Sequence, residues 1–261
     1  MKRLVLAFAV WVLAAAPALA GLTQASLASV GVWPPAGAHE PLALVFQDAA
    51  GRPMTLGHAT AGKPAVLVFA DYQCRTLCGP ALVLTAAGLR QAGLKPGDDY
   101  RLVVIGLRPN EAPADAQAFA DQRLKDDPAL KAASAFLVGD ARATQAAMAA
   151  VGFRARYDAA NDQYAHEAAA FALTLDGRMA RVLSEVNLSG PELRLAIVGA
   201  GEGRVGNMVD RLRWLCVCYG FDPAQGLYNA GTDLALKIGG ALMALLVAGG
   251  LLFAHRRPAR P

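Results

Sequence analysis

Residues 65–70, Ala-Val-Leu-Val-Phe-Ala, form an unbroken apolar run rich in β-branched side chains. A strand without alternation has no face to offer water, so it predicts a sheet covered on both sides, the habit of mainly parallel sheets. The stretch Arg-Leu-Val-Val-Ile-Gly-Leu at 101–107 repeats the pattern, and 135–138 suggests a third such strand. Helical stretches are expected between them. Gly79-Pro80 opens one over 81–94, where Leu82, Val83 and Leu89 make an apolar stripe, and Gly93, Pro96 and Gly97 stop it. Proline suits a first helical turn because its missing N–H is no loss there. Further helices are read at 114–124 and at 142–151, the latter ended by Gly152.

The flanks complete the order. A strand at 41–46 and a return arm at 54–56 bracket a turn over 48–51, and 109–113 is a loop. Runs at 169–175 and 178–183 surround Asp176-Gly177, a strong hairpin signal. A last helix spans 191–199, with Ser189 placed to cap it. Alternating strands and helices closed by a hairpin predict an α/β fold: a thioredoxin-like mixed sheet flanked by helices, with an inserted strand and helix.

The two ends have a different character. Residues 1–20 carry Lys2 and Arg3, a short apolar run and Ala18-Leu19-Ala20, the three parts of a signal peptide. A retained membrane helix is the alternative, but the run is short for that. Residues 234–254 hold one charge, Lys237, and are long enough to cross a bilayer, so a single C-terminal transmembrane helix is expected. A buried core helix is the competing reading, but the segment has no polar face. His255, Arg256, Arg257 and Arg260 follow, and basic residues stay on the cytoplasmic side. Both ends therefore place the bulk of the chain outside the cytoplasm; a bacterial inner membrane with the domain facing the periplasm is the expected location. The expected division is a lead-in linker at 21–40, one domain at 41–203, a juxtamembrane segment at 204–233, the anchor at 234–254 and a basic tail at 255–261. The net charge of +4 is modest and no basic block interleaves with aromatics, which argues against a nucleic-acid partner.

The four cysteines are Cys74, Cys78, Cys216 and Cys218. An exported domain of this length does not need disulfides for stability, which points Cys74 and Cys78 toward redox or metal chemistry. They sit where a buried strand gives way to a helix, the place where ligands bind in open α/β sheets. A helix N-terminus favours thiolates. The i, i+4 spacing puts both sulfurs on one face, a soft site suited to Cu(I), and equally able to close a disulfide. Buried, inert cysteines are the plain alternative.

His166 lies just before the strand at 169–175, and in a thioredoxin-like sheet that loop approaches the cysteine turn. Two sulfurs and one imidazole then give a three-coordinate site. His39 falls in the lead-in, His58 in an early loop and His255 at the membrane edge. Cys216-Val217-Cys218 could bind metal or serve structure. Asp71, Tyr72 and Glu167 flank the site and could orient its ligands. No Ser-His-Asp order, HExxH or phosphate loop occurs; the glycines at 199–203 follow a helix and read as its stop.

With Cys74-x-x-x-Cys78 and His166, the chain resembles the Sco/SenC family over roughly 41–228. The likeness extends to residues 66–80, the 109–113 loop with Glu111, Phe136-Leu137-Val138-Gly139, Val151-Gly152-Phe153, and Gln163-Tyr164-Ala165-His166. Gly203-Arg204-Val205-Gly206 and Cys218-Tyr219-x-Phe221-Asp222-Pro223 resemble a bacterial branch that ends in a membrane segment. The resemblance implies a thioredoxin-like copper chaperone rather than an enzyme. It implies a copper ion held by Cys74, Cys78 and His166, and a respiratory oxidase copper-centre subunit as partner. The alternative is a periplasmic thiol–disulfide reductase in which Cys74 and Cys78 are catalytic and act on oxidase-subunit cysteines. Two departures stand out: Arg75 replaces the family's proline, and Arg108 stands where that branch has aspartate. A cation at Arg75 lowers thiol pKa.

Overall fold

The structure, a computed structural model, describes residues 22, 27–74, 80–205, 221–222, 227–228, 238 and 242–243. The chain divides into two units, Met1–Gly206 and Asn207–Pro261.

In the first unit the elements run β1 (Gly31–Val32), β2 (Val45–Asp48), β3 (Pro53–Thr55), α1 (Leu56–Thr60), β4 (Ala65–Ala70), α2 (Pro80–Gln91) and β5 (Arg101–Gly106). They continue as α3 (Pro113–Arg123), α4 (Pro128–Ala132), β6 (Ser134–Val138), α5 (Ala141–Ala150), β7 (Phe153–Arg154), β8 (Arg156–Asp158) and β9 (Gln163–Ala165). β10 (Ala169–Leu173), β11 (Met179–Ser184) and α6 (Gly190–Gly201) close the unit. A seven-stranded mixed sheet has the order β11-β10-β4-β5-β6-β2-β3. β4, β5 and β6 are parallel, and the flanking strands are antiparallel.

The central strand behaves as its composition requires: every residue of β4 is buried. Successive side chains point to opposite faces. Val66, Val68 and Ala70 enter the core under α2 and α6, while Ala65, Leu67 and Phe69 enter the other core with Phe153 and Phe171. The Asp176-Gly177 hairpin forms between β10 and β11. Gly177 takes φ +88, and a Cβ there would sit 2.7 Å from the Glu40 carbonyl oxygen, so both its backbone and its lack of a side chain are used.

Several details differ from expectation. The first long strand is β2 at Val45–Asp48; residues 41–44 turn instead, with the Leu44 N–H on the Pro41 carbonyl. In α2, Leu82 and Leu89 are buried but Val83 is 43% exposed, because a neighbour of Leu82 in a helix points about 100° away. α4 and the β8–β9 hairpin carry too few residues to show a period. Ser189 occupies the N-cap of α6 without a side-chain capping bond. Within the stretch read as a lead-in, β1 pairs with β7 and Glu40 is fully buried. His58 lies in α1, and His39 binds the Asp176 carbonyl at 2.8 Å. The glycines at 199 and 201 fall in the last turn of α6, consistent with a helix stop.

In the second unit, the strands Phe221–Asp222 and Leu227–Tyr228 pair antiparallel. The expected signal peptide at 1–20, Cys78, Cys216, Cys218, nearly all of the 234–254 segment and the basic tail lie outside the described residues. Among the described residues no helix is long and apolar enough to cross a membrane.

Candidate functional site

β4 ends at Ala70, and the chain then turns through Asp71, Tyr72 and Gln73 to Cys74. Asp71 organises this turn. Its Oδ1 accepts the Gln73 N–H at 3.1 Å, and its carbonyl accepts the Cys74 N–H at 3.3 Å. A carboxylate with no exposed surface needs further partners. Arg108 donates from Nε to Oδ1 at 2.7 Å, and the Tyr164 N–H donates to Oδ2 at 3.0 Å.

Arg108 follows β5, the parallel neighbour of β4, and is itself 5% exposed. Its Nη1 donates to Asp162 Oδ1 at 2.7 Å and its Nη2 to the Asp162 carbonyl. The guanidinium also lies 5.6 Å from the Tyr157 ring centroid, while the Tyr157 hydroxyl donates to Asp162 Oδ1 at 2.6 Å. The two carboxylates raise the Arg108 pKa further, so it is a permanent cation. Asp162 has φ +47, a left-handed conformation that aspartate tolerates better than most residues.

Glu111 completes the wall. Its Oε1 accepts the Tyr72 N–H at 2.5 Å and its Oε2 accepts the Arg108 N–H at 3.3 Å. Burial pushes its carboxyl up to about 8, against the opposing pull of those N–H groups. Gly106 leaves room for it: a Cβ there would lie 2.1 Å from Glu111 Oε2. Tyr72 turns inward, its hydroxyl donating to the Val104 and Leu137 carbonyls at 2.9 and 3.1 Å, so it serves the core and not a ligand.

Cys74 is buried and disulfide-bonded. Its Sγ lies 3.7 Å from Gln163 Oε1. A disulfide sulfur has no proton to donate, so this contact becomes a hydrogen bond only when Cys74 is a thiol. β9, which carries Gln163 and Tyr164, is thus held to the cysteine turn by the Tyr164 N–H on Asp71, with Gln163 Oε1 beside Cys74 Sγ, and His166 is the residue after it. The His166 ring packs 6.0 Å from Phe153, and burial lowers its pKa, favouring neutral imidazole. Its Nδ1 lies 3.0 Å from the Glu167 carbonyl. A carbonyl only accepts, so Nδ1 carries the proton and Nε2 keeps a free lone pair. That is how metal-binding imidazoles are usually oriented.

Of the three sequence-predicted ligands, Cys74 and His166 are thus on adjoining segments, and Cys78 lies outside the described residues. Among the described residues no group of three or more His, Cys, Asp or Glu side chains converges as a metal site. A cysteine sulfur, once reduced, and an imidazole with an unprotonated Nε2 form a borderline-soft set of the kind that suits copper. Sequence reasoning reached Asp71 and Glu167 as flanking groups, but it did not link Asp71 to Arg108, Asp162 and Tyr157. The available signal was Asp71 itself: an acid directly after a fully apolar strand needs a buried cation, and Arg108 stands at the matching end of the next strand.

No family model matches the chain, and no curated protein matches it in sequence. Solved structures do match. A protein of Aquifex aeolicus VF5, provisionally assigned to electron transfer, superposes with a TM-score of 0.56 at 18% identity, covering 66% of this chain and 97% of that one. BsSco, described as a member of the Sco family of cytochrome c oxidase assembly proteins with a disulfide switch, gives 0.51 at 16% identity, over 65% and 97%. Copper-bound ScoI of Arabidopsis thaliana gives 0.50 at 14% identity, over 64% and 98%. The first unit of this chain has the thioredoxin-like fold of the Sco structures.

Proposed function

We propose that the chain is a copper-binding metallochaperone that passes copper to a respiratory oxidase subunit. Cys74 and Cys78 as thiolates and His166 as neutral imidazole would be the ligands, with copper as cargo. The observation that carries this reading is His166. Its Nδ1 proton is committed to the Glu167 carbonyl, burial keeps the ring neutral, and the preceding strand is tied to the Cys74 turn. The ring is therefore held as a neutral donor whose Nε2 lone pair is available to a metal. Copper in the Arabidopsis thaliana ScoI structure, on the same fold, supports the assignment. The residue pattern of the C-terminal segment supports a chain anchored at 234–254 with its domain in the periplasm.

Cys74 is in a disulfide here, so the described state is the oxidised one. Two electrons and two protons, supplied by an external dithiol, convert it to two thiols before copper binds. Transfer to a partner then proceeds by exchange of one ligand at a time, with the partner's thiolate or imidazole replacing one from this chain. A thiol–disulfide reductase is the less favoured reading, because it leaves the poised imidazole of His166 without a task.

The test is anaerobic Cu(I) titration of the reduced full-length chain in detergent against a competing chelator. Wild type binds one equivalent, and Cys74→Ala, Cys78→Ala and His166→Ala each weaken binding. Reduced wild type that takes up no Cu(I) refutes the proposal. A His166→Ala variant that binds as tightly as wild type removes that ligand from it.

A further inference from the structure

The β8–β9 hairpin stands apart from the main sheet. Its strands, Arg156–Asp158 and Gln163–Ala165, have three residues each and, among the described residues, pair only with one another. A lone two-stranded hairpin is marginal in water, so its position depends on what anchors it. Ala155 and Tyr164 pack on the core, and the Leu22 N–H reaches Asp158. Among the described residues, the Tyr164 N–H on Asp71 and the Gln163 Oε1 beside Cys74 Sγ face the cysteine side directly, and Arg108 braces both the turn and Asp71. Arg108 grips the hairpin turn through the Asp162 carboxylate and carbonyl and lies over the Tyr157 ring. From the same guanidinium its Nε holds Asp71, which in turn accepts the Tyr164 N–H.

We infer that Arg108 is a positioning residue that clamps the β8–β9 hairpin over the cysteine turn, and so sets where Gln163 and His166 stand relative to Cys74. The inference deepens the copper reading and rests on it for its consequence, though not for the clamp. The geometry requires arginine. One nitrogen vector meets Asp71 and two others meet Asp162, a fork that a lysine ammonium lacks. Asp71 and Asp162 lie on opposite sides of that fork, one with no exposed side chain and the other with 76% of its side chain exposed. Losing the Asp162 carboxylate therefore loosens the hairpin turn while leaving the buried Arg108–Asp71 pair and the Arg108 bond to the residue-162 carbonyl in place.

That asymmetry gives a variant that folds. In the full-length oxidised chain without metal, amide hydrogen exchange is followed in Asp162→Ala and Arg108→Lys. Exchange rises about tenfold or more across 156–166 in both, while β4, β5 and β10 keep wild-type protection. Unchanged protection of 156–166 in Asp162→Ala overturns the clamp, whatever the copper result. Cu(I) affinity of the reduced chain is then measured in Asp162→Ala, His166→Ala and the double variant. Asp162→Ala weakens binding about tenfold, the scale of a lost group that orients a ligand. In the His166→Ala background it has no further effect. Equal weakening in both backgrounds overturns the link to His166. Absence of Cu(I) binding in wild type refutes the copper reading alone, and hydrogen exchange still decides the clamp.

Discussion

Asp71→Ala is the perturbation that most directly tests the account of the site. Asp71 has no exposed surface and Arg108 is 5% exposed, so the pair sits in a poorly solvated region. The substitution leaves a buried guanidinium with Asp162 as its remaining acid partner, and strips acceptors from the Gln73 and Tyr164 N–H groups. Removing one member of a buried pair costs about 3–5 kcal/mol. For a domain of this size each kcal/mol lowers Tm by roughly 2–4 °C, so the fall is about 6–20 °C. Asp162→Ala removes a mostly exposed acid, and surface pairs contribute about 0–1 kcal/mol, so its Tm falls little. Replacing both buried partners together, Asp71→Leu with Arg108→Met, recovers most of the loss, because the cost comes from the stranded charge. Thermal unfolding followed by circular dichroism, on the full chain in detergent at low and high salt, reads all three. The Asp71→Ala deficit persists at high salt, since buried pairs are weakly screened. A deficit no larger than that of Asp162→Ala, or one that high salt abolishes, refutes the buried network.

Two other predictions concern Glu40 and Gly106. Glu40 is fully buried, neither carboxylate oxygen has a partner among the described residues, and burial pushes it up from 4.5 to about 8. The folded chain then keeps a proton that the unfolded chain releases, so this group's contribution is intact below pH 4.5 and is lost as pH rises through 4.5 to 8. At about 1.4 kcal/mol per pH unit, Glu40→Gln stabilises the chain by roughly 3 kcal/mol at neutral pH and hardly at all near pH 4.5; equal Tm changes at both refute the assignment. Gly106→Ala drives a methyl to 2.1 Å from Glu111 Oε2 and 2.9 Å from the Tyr72 ring, so it destabilises by about 1–3 kcal/mol, and wild-type stability in urea titration contradicts that packing.

The apolar strand at 65–70 was legible because burial on both faces leaves a composition that few other placements satisfy. Residues 101–107 were legible for the same reason, and the Asp176-Gly177 hairpin because one φ +88 position nearly demands glycine. The short β8–β9 hairpin was not. Three-residue strands carry no measurable period, and what holds them is a charge network between residues 37 and 54 positions apart. Arg108 was noticed only as a departure from the resembling family. Its partners become visible once β4 and β5 lie side by side, with Ala70 opposite Gly106, so that Asp71 and Arg108 leave the sheet at the same end. Val83 shows the opposite error: an apolar residue in an apolar stretch was assigned inward, although its helical phase places it outward.

The disulfide at Cys74 and the proposed copper site compete for one sulfur, and that competition has a calculable consequence. A sulfur in a disulfide is not a thiolate, so only the reduced fraction of the chain binds copper. The apparent Kd is the intrinsic Kd divided by that fraction. Once the ambient potential lies well above the midpoint of the couple, the reduced fraction falls tenfold for every ~30 mV, and the apparent Kd rises by the same factor. Linkage makes the effect reciprocal: copper that binds only the dithiol form raises the midpoint potential, by ~30 mV for each tenfold excess of free copper over the Kd. Cu(I) titrations in dithiol buffers of stepped potential, with Cys74→Ser as the redox-silent control, measure the slope directly. A wild-type Kd that stays flat across the midpoint of the couple means that Cys74 is not both the disulfide sulfur and a copper ligand.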